Sequence, residues 1–368
     1  MGRRCSVAEL AVNGAVDFVG QRVLVTGDTG FKGAWLCRLL YRLGAEVIGV
    51  GLPLETEPCL FELTDGPSFV AHYEMDIRDT NGMSRIFKDH KPDVVVHMAA
   101  QALVRRSYRQ PAETFSTNVM GTISVLQGLF DSGARPTSTL VVTSDKVYRN
   151  DGLGESFVED MPLGGEDPYS ASKAAAEHAV TAMRKTQPEF GAIATARAGN
   201  VIGGGDWAED RLIPDFYRAA VANRIVKLRY PNAVRPWQFV LDVLSGYLEY
   251  AAALSERPAD CPLVMNFGPS VKISLPTVRE VVETLGASMQ DCRNVWALDE
   301  GEHPPEQKLL RLNTDLAKSV LGWFPRLDQA ETINWTVEWY DAFNKGRPAI
   351  ELMDKQIERY LETKWLAR

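Results

Sequence analysis

Tyr169 and Lys173, in the run Asp167-Pro-Tyr-Ser-Ala-Ser-Lys173, stand four residues apart, which on a helix places both on one face. A free tyrosine titrates near pH 10 and is a poor base at neutrality, but an ammonium one turn away stabilises its phenolate. Such a tyrosine can take a hydroxyl proton while a hydride leaves the same carbon. Taken alone, the pair could equally be a contact on a helix surface. A second constellation closes a β-branched run, Val141-Val142-Thr143-Ser144-Asp145-Lys146. There Ser144 can donate a hydrogen bond to a reacting oxygen. Asp145 and Lys146 are either a paired acid and base or an exposed turn.

Upstream, the strand-like Arg22-Val-Leu-Val-Thr26 runs into Thr26-Gly-Asp-Thr-Gly-Phe-Lys-Gly33 and then into Trp35, Leu36, Leu39, Leu40 and Leu43 at helical spacing. This is the strand, turn and helix context a phosphate-binding glycine loop requires. Gly27 makes the tight turn, Gly30 lets backbone N–H groups approach a diphosphate, Gly33 allows close packing, and the helix N-terminus supplies positive potential. A glycine-rich turn without a ligand is the alternative. The second expected strand ends Val50-Gly51-Leu52-Pro53, with neither a carboxylate for an adenosine ribose nor an arginine for a 2′-phosphate. That favours NAD over NADP, with Asp76-Ile77 as an adenine contact. The positive nicotinamide of NAD would add to Lys173 in stabilising the Tyr169 phenolate. Asp28 puts a carboxylate near the diphosphate, unless it points outward or caps the helix.

The elements that must position these residues alternate in the first half of the chain. Strands are expected at Arg22–Thr26, Glu46–Val50, Phe69–Met75, Asp93–Met98, Thr139–Thr143 and Ala192–Ala196, and helices at Thr80–Asp89, Pro111–Asp131 and Tyr169–Lys185. Strand and helix in alternation predict an α/β fold with a doubly wound parallel, Rossmann-type sheet. Past Asn200 come Gly203-Gly204-Gly205, isolated strands such as Leu263–Phe267, and helices near Leu275–Leu285, Asp328–Phe343 and Ile350–Leu366. These predict a smaller mixed C-terminal region over the ligand edge of the sheet. The expected division is a tail at 1–19, a cofactor domain at 20–199 and a substrate region at 200–368, with strands shared across the boundary.

Lys plus Arg number 40 and Asp plus Glu 48 over 368 residues, a net charge of −8 that argues against a nucleic-acid-binding surface. No run approaches the roughly 20 apolar residues of a membrane-spanning helix. The five cysteines are scattered and never in C-x-x-C, which suggests neither a metal site nor a disulfide framework and fits a reducing, cytoplasmic location.

Six motifs together carry a resemblance: Thr26 to Leu36, Ala99-Ala-Gln-Ala-Leu-Val-Arg-Arg-Ser-Tyr108, Thr143-Ser-Asp-Lys146, Pro162 to Lys173, Ala196 to Trp207, and Asn232-Ala-Val-Arg-Pro-Trp-Gln238. Over roughly residues 20 to 345 the chain is similar to sugar-nucleotide dehydratases of the extended short-chain dehydrogenase/reductase family. Asp145-Lys146, where most of that branch has Asp-Glu, resembles the CDP-glucose 4,6-dehydratases. The resemblance implies a nucleotide-sugar substrate (CDP-glucose), bound NAD, and a homodimer or homotetramer built on the helices at Pro111–Asp131 and Tyr169–Lys185. A sugar-nucleotide 4-epimerase shares fold, cofactor and Tyr169/Lys173, and a non-enzymatic NAD-binding protein would share the fold alone.

By the same resemblance the catalytic residues are Tyr169, Lys173, Ser144, Asp145 and Lys146. Lys146 would need a lowered pKa to act as a base, and Lys173 and the nicotinamide would lower it. Gly27, Thr29, Gly30, Phe31, Lys32 and Gly33 would hold NAD at the loop. Asp76, Ile77, Ala99, Ala100, Asn118, Thr143, Tyr169 and Lys173 would line the rest of it. Gln101, Arg105, Asn200, Arg211, Leu212 and Arg235 would meet the nucleotide sugar, and no metal is implied. Trp207 and Trp237 are substrate contacts or core. The chain departs from these enzymes at Asp28, where they usually have His, at Val147, where they often have Cys, and at His303-Pro-Pro-Glu-Gln307.

Overall fold

Val23, Leu24 and Val25 are all fully buried, yet successive side chains of a strand point to opposite faces, so the first strand needs an apolar layer on both sides. The computed structural model describes residues 17–53, 56–152, 156–269, 276–289, 295–301 and 310–363, and it supplies both layers. Most of the expected tail, Cys5, Cys292 and His303–Gln307 lie outside the described residues.

The first elements alternate: β1 (Arg22–Thr26), α1 (Phe31–Arg42), β2 (Glu46–Gly51), α2 (Leu60–Leu63), β3 (Ala71–Glu74), α3 (Thr80–His90) and β4 (Val94–His97). Next come α4 (Val104–Arg109), α5 (Pro111–Phe115), a π-helical turn (Ser116–Met120), α6 (Gly121–Ser132), β5 (Ser138–Val142), α7 (Pro168–Thr186) and β6 (Ala192–Ala198). The remainder begins with β7 (Val201–Ile202), α8 (Leu212–Val221), β8 (Val226–Leu228), β9 (Gln238–Phe239), α9 (Val240–Glu256) and β10 (Val264–Phe267). It ends with α10 (Val278–Met289), β11 (Trp296–Leu298), α11 (Asp315–Leu321), α12 (Gln329–Asn344) and α13 (Ala349–Glu362).

Among the described residues the main sheet has seven strands in the order β10-β6-β5-β4-β1-β2-β3, every pair parallel. The order reverses between β1 and β4, which opens a crevice above their carboxyl ends. Val23 and Val25 face a core with α1, α9 and α12, while Leu24, Ile48, Val95 and Val141 face α3 and α6 on the other side. This is the doubly wound α/β architecture expected from the alternation.

Two elements differ from expectation. Val264–Phe267 is not isolated: it pairs in parallel with β6, from Val264 against Thr195 to Phe267 against Ala198. Its buried Met265 and Phe267 join the core of the α9 face, so residues far downstream complete the cofactor sheet. The single helix expected over Pro111–Asp131 is interrupted by the π-helical turn, and π-bulges of this kind are frequent at functional sites. Here it carries the buried Asn118.

The smaller region adds two two-stranded parallel ribbons, β7 with β9 and β8 with β11. Arg38 on α1 forks onto Asp354 of α13 at 2.7 and 2.6 Å, and the Trp35 indole donates to the Gly204 carbonyl at 2.9 Å. The last helix and the Gly203–Gly205 run are thereby tied to the helix that opens the glycine loop.

Candidate active site

Thr26 ends β1 at the crevice, and Gly27 turns the chain at φ +76°. A Cβ at Gly27 would meet Ala99 N at 2.8 Å, and one at Gly33 would meet the Gly27 carbonyl oxygen at 1.9 Å. Only glycine fits either position. Gly30 is the N-cap of α1 and brings no side-chain cap, so the first N–H groups of the helix stay available to an anion. This cradle fits a dinucleotide diphosphate. Thr29 donates from its hydroxyl to Leu52 O at 2.9 Å, which holds the loop to the end of β2. Lys32 lies where burial and the charges of Lys173 and Arg211 pull its pKa down to about 7, against an opposing pull from Asp145.

Asp28 neither points outward nor caps α1. Its carboxylate is buried under β2 and meets His72 Nδ1 on β3 at 2.6 Å. Gly49 and Gly51 make the room, since a Cβ at either would lie within 2.0 or 2.6 Å of an Asp28 oxygen. Burial raises the Asp28 pKa and the His72 contact lowers it, with a net upward shift.

On α7, Asp167 caps the helix through the Ser170 N–H at 3.0 Å, and Tyr169, Lys173 and Glu177 follow at intervals of four. Tyr169 and Lys173 are both buried, at 8% and 7% exposure. Burial raises the Tyr169 pKa, while a side-chain hydrogen bond with Ser144 and the charges of Lys146 and Arg211 pull it back, Asp145 opposing them. Lys173 stands one helical turn beyond Tyr169. Its Nζ donates to Val142 O at 3.3 Å, and burial, partly offset by Glu177, lowers its pKa to about 8.

Asp145 and Lys146 form the short turn after β5 and are ion-paired at 3.2 Å. Ser144 donates to the same Asp145 oxygen at 3.0 Å. The other Asp145 oxygen is buried without a hydrogen-bond partner, against Gly199, where a Cβ would fall 2.1 Å from the carboxylate. For Lys146 the structure corrects the expected lowering. Burial does pull its pKa down, but the charges of Asp145 and Tyr169 outweigh it and hold the ammonium above its ordinary value.

Behind this edge lies a buried polar network that spacing alone did not single out. Glu177 accepts from Thr143 Oγ1 at 2.5 Å, Thr195 Oγ1 at 2.8 Å and the Arg197 guanidinium at 3.0 Å through both carboxylate oxygens. Arg197 continues to Tyr148 Oη at 2.8 Å, and Tyr148 to Asn266 Oδ1 on β10 at 2.8 Å. The available signal was Glu177 itself, one more step in the Tyr169–Lys173 series.

The remaining candidates fall into three groups. Ala99 and Ala100 follow β4 beside Gly27, Ile77 is buried, and Asp76 is gripped by Arg78 at 2.6 Å, which holds the Asp76 carboxyl below its usual range. Gln101 and Asn118 bond one another through Gln101 N to Asn118 Oδ1 at 2.8 Å and Asn118 Nδ2 to Gln101 O at 3.1 Å. On the opposite wall, Arg211 pairs with Asp206 at 2.9 Å just before Leu212 opens α8, and Arg105 pairs with Asp210 at 2.7 Å. Asn200, at φ +51°, has its side-chain nitrogen buried without a hydrogen-bond partner, and the Arg235 charge opposes that of Lys146. Trp207 is core, packed against Tyr217, Tyr340 and Phe343 at 5.3 to 5.5 Å. Trp237 is likewise buried. Among the described residues no group of three His, Cys, Asp or Glu could hold a metal ion.

A glycine cradle at the switch point of a parallel sheet, faced by a buried Tyr–Lys pair, defines a dinucleotide-dependent enzyme domain. The family model described as NAD dependent epimerase/dehydratase family matches residues 23–266, and the chain belongs to that family. It is 40% identical over 349 residues to a CDP-glucose 4,6-dehydratase of Salmonella typhimurium, covering 93% of this chain and 96% of the relative. A UDP-glucose 4-epimerase of Mycolicibacterium smegmatis is 30% identical over 332 residues, covering 87% and 98%. The fold is also that of a dTDP-glucose 4,6-dehydratase of Streptomyces venezuelae solved with NAD, with a TM-score of 0.74, 24% identity and coverage of 88% and 98%.

Glu177→Gln keeps the shape of the network but leaves the Arg197 charge buried and unpaired. We expect it to lower stability by about 3–5 kcal/mol, as removal of one partner of a buried pair typically does. A chemical-denaturation midpoint equal to that of the unaltered chain would contradict this.

Proposed function

We propose that this chain dehydrates CDP-D-glucose to CDP-4-dehydro-6-deoxy-D-glucose, using NAD that is regenerated in each turnover, as a step in deoxysugar biosynthesis. The observation that carries the reading is the Asp145–Lys146 ion pair, 3.2 Å long, at the carboxyl edge beside Tyr169. An epimerase acting at C4 has no use for that acid and base. Similarity to the Salmonella enzyme supports the choice of nucleotide and sugar.

Gly27, Thr29, Gly30, Phe31, Lys32 and Gly33 hold the NAD diphosphate, Asp76 and Ile77 the adenine end, and Ala99, Ala100, Asn118 and Thr143 the path toward Tyr169 and Lys173. When bound, NAD supplies hydride chemistry, accepting from C4 of the sugar and giving back to C6. Tyr169, as the phenolate that the nicotinamide charge of bound NAD would favour, takes the O4 proton, and Ser144 turns its hydroxyl hydrogen from Asp145 to donate to the same oxygen. The resulting ketone acidifies the C5 proton. Asp145 and Lys146 first share a proton along their ion pair, which leaves a carboxylic acid and a neutral amine. Lys146 then removes the C5 proton and Asp145 protonates the departing C6 hydroxyl, so loss of water restores the ion pair. As C6 regains its hydrogen, C5 takes a solvent-exchanged proton from Lys146, and the O4 proton held by Tyr169 recharges Lys146. Each such transfer by a positioned side chain typically contributes about 10²- to 10⁴-fold.

Asn200 and Arg235 meet the diphosphate of the sugar nucleotide, where a planar guanidinium suits paired oxygens. Arg211 and Leu212 lie toward base and ribose, and Gln101 and Arg105 close the near side. Residues 20–199 act as the cofactor domain and 200–368 as the substrate region, with β10 returning to the sheet. No described helix is long and apolar enough to cross a membrane. A cytoplasmic location suits the unpaired buried thiols of Cys37, Cys59 and Cys261.

Two copies pair through the helices at Pro111–Ser132 and Pro168–Thr186, where Phe115 and Met120 are 39% and 52% exposed. Sedimentation at micromolar concentration should give a dimer or a dimer of dimers, and a strictly monomeric profile would contradict that. For the reaction, incubation with CDP-glucose in deuterated water should place deuterium at C5 and carry the C4 hydrogen to C6. Tyr169→Phe should abolish turnover while leaving NAD binding largely intact. Recovery of a C4 epimer with no 6-deoxy product would overturn the assignment.

A further inference from the structure

His97 ends β4 directly opposite Thr26, its partner in the sheet, and is 2% exposed. Its Nδ1 lies 2.6 Å from Thr26 Oγ1 and its Nε2 lies 3.0 Å from Thr122 Oγ1. What Thr26 already accepts sets the direction of these bonds. The backbone N–H groups of Met98 and Ala99 both donate to Thr26 Oγ1, each at 3.2 Å, so the hydroxyl hydrogen is left for His97 Nδ1. A neutral ring then carries its proton on Nε2 and donates to Thr122, whose hydroxyl donates to Asn118 O at 2.7 Å. The Asn118 side chain donates to Ser172 Oγ on α7 at 2.9 Å, and Ser172 donates to the Tyr169 carbonyl at 2.7 Å.

We propose that His97 is a positioning residue: as a neutral imidazole bonded at both nitrogens, it holds the glycine loop at Thr26 in register with the catalytic helix at Tyr169. The hydrogen-bond chain joins β1, β4, the π-helical turn and α7, the elements that carry the cofactor cradle and the Tyr169/Lys173 pair. Asn118 serves both ends: its carbonyl takes the Thr122 hydroxyl, four residues on, while its side-chain amide reaches Ser172. Burial and the Lys173 charge lower the His97 pKa to about 3, so the ring stays neutral across the physiological range and the chain keeps its direction. A second ring proton would oppose the Thr26 hydroxyl donor to donor.

The inference rests on the enzymatic reading above, and its test separates the two. Asparagine at this position offers an oxygen where Nδ1 was but cannot reach Thr122, glutamine has the reach of Nε2, and phenylalanine keeps the ring and makes neither bond. Turnover of CDP-glucose and NAD affinity by calorimetry are compared for the unaltered chain, His97→Asn, His97→Gln, His97→Phe, Ser172→Ala and His97→Asn/Ser172→Ala. His97→Asn should lower kcat between about ten- and a hundredfold with KM little changed, in line with the sensitivity of catalysis to small misplacements. His97→Gln, which keeps only the bond to Thr122, should also lower kcat with KM little changed, as His97→Asn does by keeping only the bond to Thr26. The double variant should be no slower than its slower parent, because both changes cut one chain. Non-additivity of the same kind is expected in NAD affinity, which needs no sugar. Kinetic constants unchanged in His97→Asn, or effects that simply multiply in the double variant, would overturn the role of His97. NAD binding with coupled losses but no dehydration by the unaltered chain would overturn only the reaction. Should His97→Phe fail to fold, the polar variants still decide the matter.

Discussion

Ionising a phenol inside a protein is the constraint on which this site depends. Burial moves Tyr169 away from the role its position implies, and a hydrogen bond with Ser144 and the charges of Lys146 and Arg211 offset that only in part, leaving the pKa above its ordinary value. These groups come from different places: Ser144 and Lys146 from the edge of β5, and Arg211 from the segment before α8, itself fixed by Asp206. The groups that lower the Tyr169 pKa therefore come from both the sheet and the smaller region. The overall charge of −8 tells nothing of this, because Lys146, Lys32, Arg211 and Arg235 concentrate positive charge at the one crevice that must take anionic ligands.

Two buried polar systems then hold the helix that carries Tyr169. One runs from Glu177 through Arg197 and Tyr148 to Asn266, and binds α7 to the ends of β5, β6 and β10. The other runs from Thr26 through His97 and Asn118 to Ser172. Fully satisfied networks of this kind rigidify what they join, whereas an unpaired member would be costly in a low dielectric. The atoms left unpaired at the site itself are an Asp145 oxygen, against Gly199, and the Asn200 side-chain nitrogen. In the proposed reaction Asp145 and Lys146 begin and end as an ion pair, so the same contact that holds Lys146 protonated returns the site to its starting state.

Much of this was legible in the residues. Local pattern revealed β1, the glycine cradle and the Tyr169–Lys173 face, because each is written within a few consecutive residues. The Asp145–Lys146 pair was legible because both residues are neighbours in the chain. Contacts between distant segments were not. Asp28 finds His72 only because Gly49 and Gly51 leave room beneath β2, and no spacing rule reports that. Val264–Phe267 looked isolated because a buried parallel strand is identified by its neighbours rather than by its own short apolar run. Charge states were the least accessible. The Tyr169–Lys173 spacing suggested an ammonium beside the phenol, but it did not reveal the Lys173 bond to Val142 O or the charges of Lys146 and Arg211 at Tyr169.

The central claim is that burial holds Tyr169 above its ordinary pKa and that the charges around it oppose this rise without cancelling it. An ultraviolet titration of tyrosinate, taken as the difference between the unaltered chain and Tyr169→Phe, isolates its ionisation without any substrate. Repeated in a Lys146→Met background, it removes one of the named charges. The account predicts a midpoint above the ordinary value near 10 in the ligand-free protein, and a higher one still without Lys146. A midpoint at or below that ordinary value, or one that Lys146→Met leaves unmoved, would contradict it.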